Sequence, residues 1–155
     1  STMDKELNEA GEAGFHLNTI MGGETAIGGK EAVAVMARLA SSKTRYQYRL
    51  LATSKTSTMQ KEMQEAADAG YDYKGQTVFE SLMGGKEVVV VMERDSDHPT
   101  KGDTYNLLAT TKTSTTEKEL QEVGREGFVV LGMTVSKTLM GGKELVTITR
   151  RRGTR

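Results

Sequence analysis

Two segments of the chain place a lysine and several hydroxyl side chains where a helix is expected to begin. They are residues 53–58 and 110–115. The first turn of a helix carries backbone N–H groups without partners, and the helix dipole favours negative charge there. Each segment is therefore a predicted anion-binding site, with candidate residues Lys55, Ser57, Thr58, Lys112, Ser114 and Thr115. A capped helix start without a ligand explains the same residues.

A second candidate is the sequence Gly-Gly-Lys-Glu, which occurs at residues 28–31, 84–87 and 141–144. A phosphate-binding loop needs a glycine-rich turn from a strand into a helix, with Ser or Thr directly after the lysine. Here the turn joins two predicted strands, and glutamate follows the lysine. The glycine pairs therefore indicate two-residue hairpin turns.

Other groups give little support for catalysis. His16 and His98 are the only histidines, neither has a cluster of ligands or a nucleophile near it in the sequence, and cysteine is absent. We therefore expect no catalytic residue, no metal and no cofactor. The alternative is an enzyme whose site forms between copies of a repeat. That alternative requires two polar groups that break the repeat inside a pocket, and the sequence indicates no such pair.

The elements that must position these residues come from a repeat. The segments that begin at Ser1, Ser57 and Ser114 are copies of one another, with Lys-Glu at the same place in each. A period of about fifty residues indicates one supersecondary unit used repeatedly. The predicted repeats span residues 1–39, 46–95 and 103–152, and we expect them to form one compact body, because a unit of this size buries little apolar surface alone.

Each repeat is predicted to run strand, helix, strand, strand. Ser57 is the predicted N-cap of the second helix, and Ser114 with Glu117 has capping-box spacing in the third. Glycines at positions 14, 70 and 127 are expected to end the helices. The buried stripe of the second helix is predicted to be Met59, Met63, Ala66 and Ala67. The first repeat lacks a leading strand, as expected of a trimmed chain, a processed precursor or a fragment of a longer array.

The fold class is therefore α+β. In each antiparallel sheet the last strand is expected in the centre, with one helix across a face. We expect sheets inside and helices outside, in a pseudo-threefold or barrel-like arrangement. The predicted interior residues are Leu51, Leu108, Val89, Val91, Val146 and Ile148. The alternative is a linear row of repeats, which would expose apolar sheet faces and edges.

Composition limits the partners. Among 155 residues, 21 Lys and Arg balance 21 Asp and Glu, so the charge does not favour nucleic acid. No stretch reaches the length and hydropathy of a membrane span. The sequence does not decide the cellular compartment. The protein is cytoplasmic, or it is secreted or periplasmic if a leader was removed.

The repeat resembles the bacterial family catalogued as domain of unknown function 4177. The residues that carry the resemblance are 120–131 and 145–152, with the signature repeated at 11–15. Ala67 and Tyr71 depart from the family's glycine and its usual tryptophan. The resemblance implies a small strand-helix-strand-strand unit and no activity. The order of elements is also similar to dodecin, a flavin-binding family, but this chain has no tryptophan to stack on flavin.

These observations favour a non-catalytic binding or assembly module. A carrier of small molecules or anions is the alternative, with its site at the helix N-termini or between repeats. The sequence leaves open whether the partner is another copy of the chain or a different protein.

Overall fold

The computed structural model describes residues 2–24, 30–53, 55–80, 86–137 and 143–153. Within these ranges the chain forms three helices and eight strands. Repeat 1 comprises α1 (Thr2–Glu12), β1 (His16–Glu24) and β2 (Lys30–Ala37). Repeat 2 comprises β3 (Tyr46–Thr53), α2 (Thr56–Asp68), β4 (Asp72–Glu80) and β5 (Lys86–Asp95). Repeat 3 comprises β6 (Thr104–Thr110), α3 (Thr113–Arg125), β7 (Val129–Lys137) and β8 (Lys143–Arg151).

Each repeat forms its own antiparallel sheet. The strand orders are β1-β2, β3-β5-β4 and β6-β8-β7. This confirms the α+β class and the central position of the closing strand in repeats 2 and 3. The predicted hairpin turns at the glycine pairs lie outside the described residues.

The helices end and pack for reasons that the sequence contains. Gly14, Gly70 and Gly127 have φ values of 86°, 92° and 85°, the left-handed conformation expected at these ends. The predicted stripe of α2 is buried along its full length, from Met59 to Ala67. Because its small residues come last, the end of the helix can approach its neighbours closely.

The position of the helices differs from the prediction. One core cluster joins Leu7 of α1 and Leu17 of β1 to Tyr48 and Val91 of repeat 2. A second cluster joins Met63 of α2 and residues of β5 to residues of repeat 3. Helices α1 and α2 therefore lie between successive repeats rather than on the outside. Each of these two helices contributes to a cluster that holds residues of its own sheet and of the next sheet.

The predicted interior was right in the burial of most of its residues but wrong in being shared, because Val91 lies in one core cluster and Val146 and Ile148 lie in the other. Four of its residues are at most 7% exposed: Val89, Val91, Val146 and Ile148. Leu51 and Leu108 are only half-buried. Each lies one residue away from the apolar face of its leading strand, where Tyr48, Tyr105 and Leu107 are buried instead.

The sheets do not close into a barrel. Strand β4 packs on β1 on one side and on β7 on the other, whereas no packing of this extent joins β7 to β1 in the described ranges. Repeat 2 is thus covered on both sides, and repeats 1 and 3 each keep one uncovered end. The arrangement is an open row of repeats, and its consequence is exposed apolar surface at both ends.

Candidate functional site: the joints between repeats and the two open ends

The predicted anion sites lie on the surface at two separate helix starts. Lys55, Ser57 and Thr58 are exposed at the start of α2, and their counterparts Lys112, Ser114 and Thr115 are exposed at the start of α3. The structure therefore brings each trio together at one helix N-terminus but does not join the two trios.

The predicted serine caps were wrong. The N-cap residues are Lys55 and Lys112, in extended backbone and without a side-chain cap hydrogen bond. The backbone N–H of each lysine donates to a threonine hydroxyl two residues earlier, Thr53 or Thr110, at 3.2 Å. This turn directly after the strand starts the helix sooner than the serine would, so Ser114 and Glu117 form no capping box. The anion sites themselves remain predictions.

The leading strands are held at their outer edges by side chains of the preceding helix. The Asn8 side chain of α1 accepts from the Tyr48 backbone N–H at 2.9 Å and donates to its carbonyl at 3.1 Å. In the next joint, Gln64 of α2 accepts from Tyr105 N–H and donates to the Asp103 carbonyl, both at 3.1 Å. Asn8 and Gln64 occupy the same position in the repeat. Each carboxamide thus pairs with the strand edge as another strand would.

A buried tyrosine marks each joint. Tyr48, between repeats 1 and 2, donates its hydroxyl proton to Glu93 at 2.6 Å. Glu93 is only 4% exposed, and it also accepts from Leu17 N–H at 2.8 Å and pairs with Lys74 at 3.1 Å. Burial raises the pKa of Tyr48 well above its usual value, and the hydrogen bond and charge of Glu93 raise it further. The hydroxyl therefore stays protonated as a donor.

The second joint uses different charges at the same positions. Tyr105 donates to Asp72 at 3.0 Å and accepts from Tyr73 N–H at 2.9 Å. Arg150, which corresponds to Glu93, forms an ion pair with Asp72. Burial, followed by the charge of Asp72, raises the pKa of Tyr105 as well. The expectation that no pair of polar groups breaks the repeat was therefore wrong.

Two of these carboxylates, Glu93 and Asp72, line a cleft of about 330 Å³ between repeats 1 and 2. Both histidines of the chain reach it, together with Lys74, Glu93 and Asp95. The carboxylates are already engaged, since Asp95 accepts from the backbone N–H groups of Asp97 and His98. Within the described ranges, no group of three His, Asp or Glu side chains could hold a metal ion.

The two open ends expose apolar side chains, and all but Val135 have a buried counterpart in another repeat. We define the head surface as Met21, Val33 and Val35 of repeat 1, which are 57%, 50% and 46% exposed. The tail surface is Val130, Met133 and Val135 of repeat 3, which are 48%, 47% and 57% exposed. Strand register places each set on one face of its sheet. Contiguous exposed apolar residues of this kind are typical of interaction surfaces.

The counterparts show what covers such positions. On the head side, Val33 and Val35 correspond to Val89 and Val91, and Val91 packs against α1 and β1 of the preceding repeat. On the tail side, Val130 and Met133 correspond to Leu17 and Ile20 of repeat 1, which repeat 2 buries to 4% and 8% exposure. Sequence reasoning missed these surfaces because the residues match their buried counterparts in chemistry. The exposed residues differ from their buried counterparts only in position, because they lie at the two ends of the row of repeats.

No family model, curated protein or solved structure matches this chain. No helix among the described residues is long and apolar enough to cross a membrane.

Proposed function

We propose that this chain is a non-catalytic assembly module whose copies associate end to end, with the tail surface of one copy packed on the head surface of the next. The supporting observation is the difference in burial at equivalent positions. Val91 is fully buried against repeat 1, whereas Val35, at the same position in repeat 1, is 46% exposed in the described part of the chain. A second copy is the occupant whose chemistry already fits this face.

The association would repeat the contact used inside the chain. Two different surfaces meet in such a contact, so it does not close on itself as a two-fold dimer does. It gives a ring if the rotation between copies closes, and a filament if it does not. We propose that each repeat is related to the bacterial domain of unknown function 4177. This relationship implies no enzymatic activity.

One position makes the contact between copies looser than the contact inside the chain. Gly75 gives room to Ile20, since a Cβ on Gly75 would lie 2.9 Å from the Ile20 side chain. Thr19 of repeat 1 stands at the position of Gly75. The side chain that would approach it is Met133, which corresponds to Ile20. Methionine is unbranched and adaptable, so its end can move aside for the threonine. We therefore expect reversible association that depends on concentration.

Sedimentation velocity over a range of concentrations tests the proposal. We expect the weight-average mass of the wild-type chain to rise with concentration, and Val35→Asp or Val135→Asp to keep the chain monomeric. Leu39→Asp is the matched control, because Leu39 is 69% exposed and lies on neither surface. A wild-type chain that stays monomeric, or a Leu39→Asp chain that loses association equally, would contradict the proposal.

A further inference from the structure

Strand β2 is paired on one side only. In the described part of the chain it bonds to β1, whereas its counterparts β5 and β8 each lie between two strands. Strand β2 is eight residues long and contains no proline. Its register with β1 is continuous apart from one irregularity, which lies in β1 between Leu17 and Thr19. Natural sheet edges are usually protected by proline, bulges or inward-pointing charge. The interior of this strand, Ala32–Met36 in the sequence Ala-Val-Ala-Val-Met, has none of these devices.

The other two repeats show what such an edge accepts. In repeat 2, Tyr48 lies opposite Glu93 and Leu50 opposite Val91. In repeat 3, Tyr105 lies opposite Arg150 and Leu107 opposite Ile148. Both leading strands therefore present a tyrosine, then an aliphatic residue two positions later, to the same two places. In β2 those places are Ala37 and Val35.

We propose that the free edge of β2 binds an extended peptide segment by strand addition, antiparallel to β2, with an aromatic residue opposite Ala37 and an aliphatic residue opposite Val35. The backbone of the segment supplies the affinity, and its alternate side chains supply the specificity. The aliphatic residue covers Val35, a residue of the head surface that is 46% exposed. The preferred sequence is Tyr-x-Leu-x-Ala, which both leading strands contain.

This binding does not require that copies of the chain associate. It uses the edge of β2, whereas end-to-end association uses the face of the sheet on which Val33 and Val35 lie. The two proposals share Val35 but not Val135. A variant at Val135 therefore separates them.

The probe is a synthetic peptide with the sequence of residues 103–112, Asp-Thr-Tyr-Asn-Leu-Leu-Ala-Thr-Thr-Lys. Its control carries proline in place of the residue corresponding to Leu108. The N–H of Leu107 donates to Gln60 on the far side of the strand, so the N–H of Leu108 faces the paired strand, and proline there removes a ladder hydrogen bond. Binding is measured by calorimetry on the full chain carrying Val135→Asp. Hydrogen exchange locates the protected amides.

We expect saturable binding, at least about tenfold slower exchange of amides in residues 30–37, and at least about tenfold weaker binding by the proline peptide or by a chain that also carries Val35→Asp. No saturable binding, or equal binding by the proline peptide, would overturn the proposal. So would protection confined to β8, which would show that the peptide displaces β6. Protection of residues 30–37 without peptide, in a dimer, would show that two β2 edges pair with each other and would also overturn it.

Discussion

The carboxamide that holds a strand edge allows a sharp prediction, because the chain contains the same residue with and without a strand to hold. Gln64 of α2 and Gln121 of α3 occupy equivalent positions. Gln64 accepts from Tyr105 N–H and donates to the Asp103 carbonyl. Gln121 donates to Glu117 of its own helix at 3.5 Å and forms no hydrogen bond to a strand in the described part of the chain. The perturbation is replacement of each glutamine by alanine.

The magnitude follows from what each substitution leaves behind. Tyr105 and Asp103 are only 2% and 4% exposed, so water cannot readily replace the lost carboxamide. Each lost hydrogen bond costs about 1 kcal/mol, and we expect Gln64→Ala to lower the free energy of unfolding by about 2 kcal/mol. The exposed Gln121→Ala should change it by less than about 0.5 kcal/mol. The change in helix propensity is identical in both variants and cancels in the comparison.

Urea denaturation followed by far-ultraviolet circular dichroism measures both values. Thermal denaturation should show a fall in Tm of about 4–8 °C for Gln64→Ala, given a chain of this size. Asn8→Ala serves as a second case, since Asn8 makes the same two bonds to Tyr48. Equal losses for Gln64→Ala and Gln121→Ala would refute the reasoning, because the strand edge would then contribute nothing.

Three further predictions rest on the same comparison between repeats or on the buried tyrosines. Val91→Ala should cost about 2 kcal/mol of stability, and Val35→Ala less than about 0.5 kcal/mol, in urea denaturation of the monomer. Gly124→Ala should stabilise the chain by about 0.5–1 kcal/mol, because a Cβ at position 124 meets nothing within 4 Å. Gly11→Ala should destabilise the chain, because a Cβ at position 11 overlaps the Tyr46 carbonyl. Burial raises the folded-state pKa of Tyr48, and it raises that of Tyr73 to about 12. The free energy of unfolding should therefore fall as the pH rises above 10.0, the pKa of tyrosine in the unfolded chain. Below pH 10.0 the folded and the unfolded chain both keep these hydroxyls protonated. Absorbance at about 295 nm against pH should then show these tyrosines ionising only as the chain unfolds.

Much of the fold could be predicted because the repeat and the helix signals are local. Gly70 needs a positive φ wherever the helix packs, and the stripe from Met59 to Ala67 requires only the helical period. The central position of β5 followed from the simplest sheet that the order strand, helix, strand, strand allows. These features depend on neighbouring residues in the sequence, so they could be read from it.

The joints between repeats could not be predicted in the same way. The position of α1 beside β3 depends on which of several apolar surfaces the buried stripe of the helix covers. The helical period of the apolar residues does not determine which surface that is. One signal was available: Asn8, Gln64 and Gln121 keep a carboxamide at one helical position in every copy. Glu93 and Arg150 were missed because they stand at a strand position where repeat 1 has Ala37. Their partners also differ, since Glu93 pairs with Lys74 of its own repeat, whereas Arg150 pairs with Asp72 of the preceding repeat.

The most direct test of end-to-end association is to mix two variants that cannot associate alone. Val35→Asp disables the head surface and leaves the tail intact, whereas Val135→Asp disables the tail surface and leaves the head intact. Native mass spectrometry of the equimolar mixture should show a heterodimer and nothing larger, since its two remaining ends are both disabled. A mixture that stays monomeric, or a Val135→Asp chain that forms dimers by itself, would contradict the account.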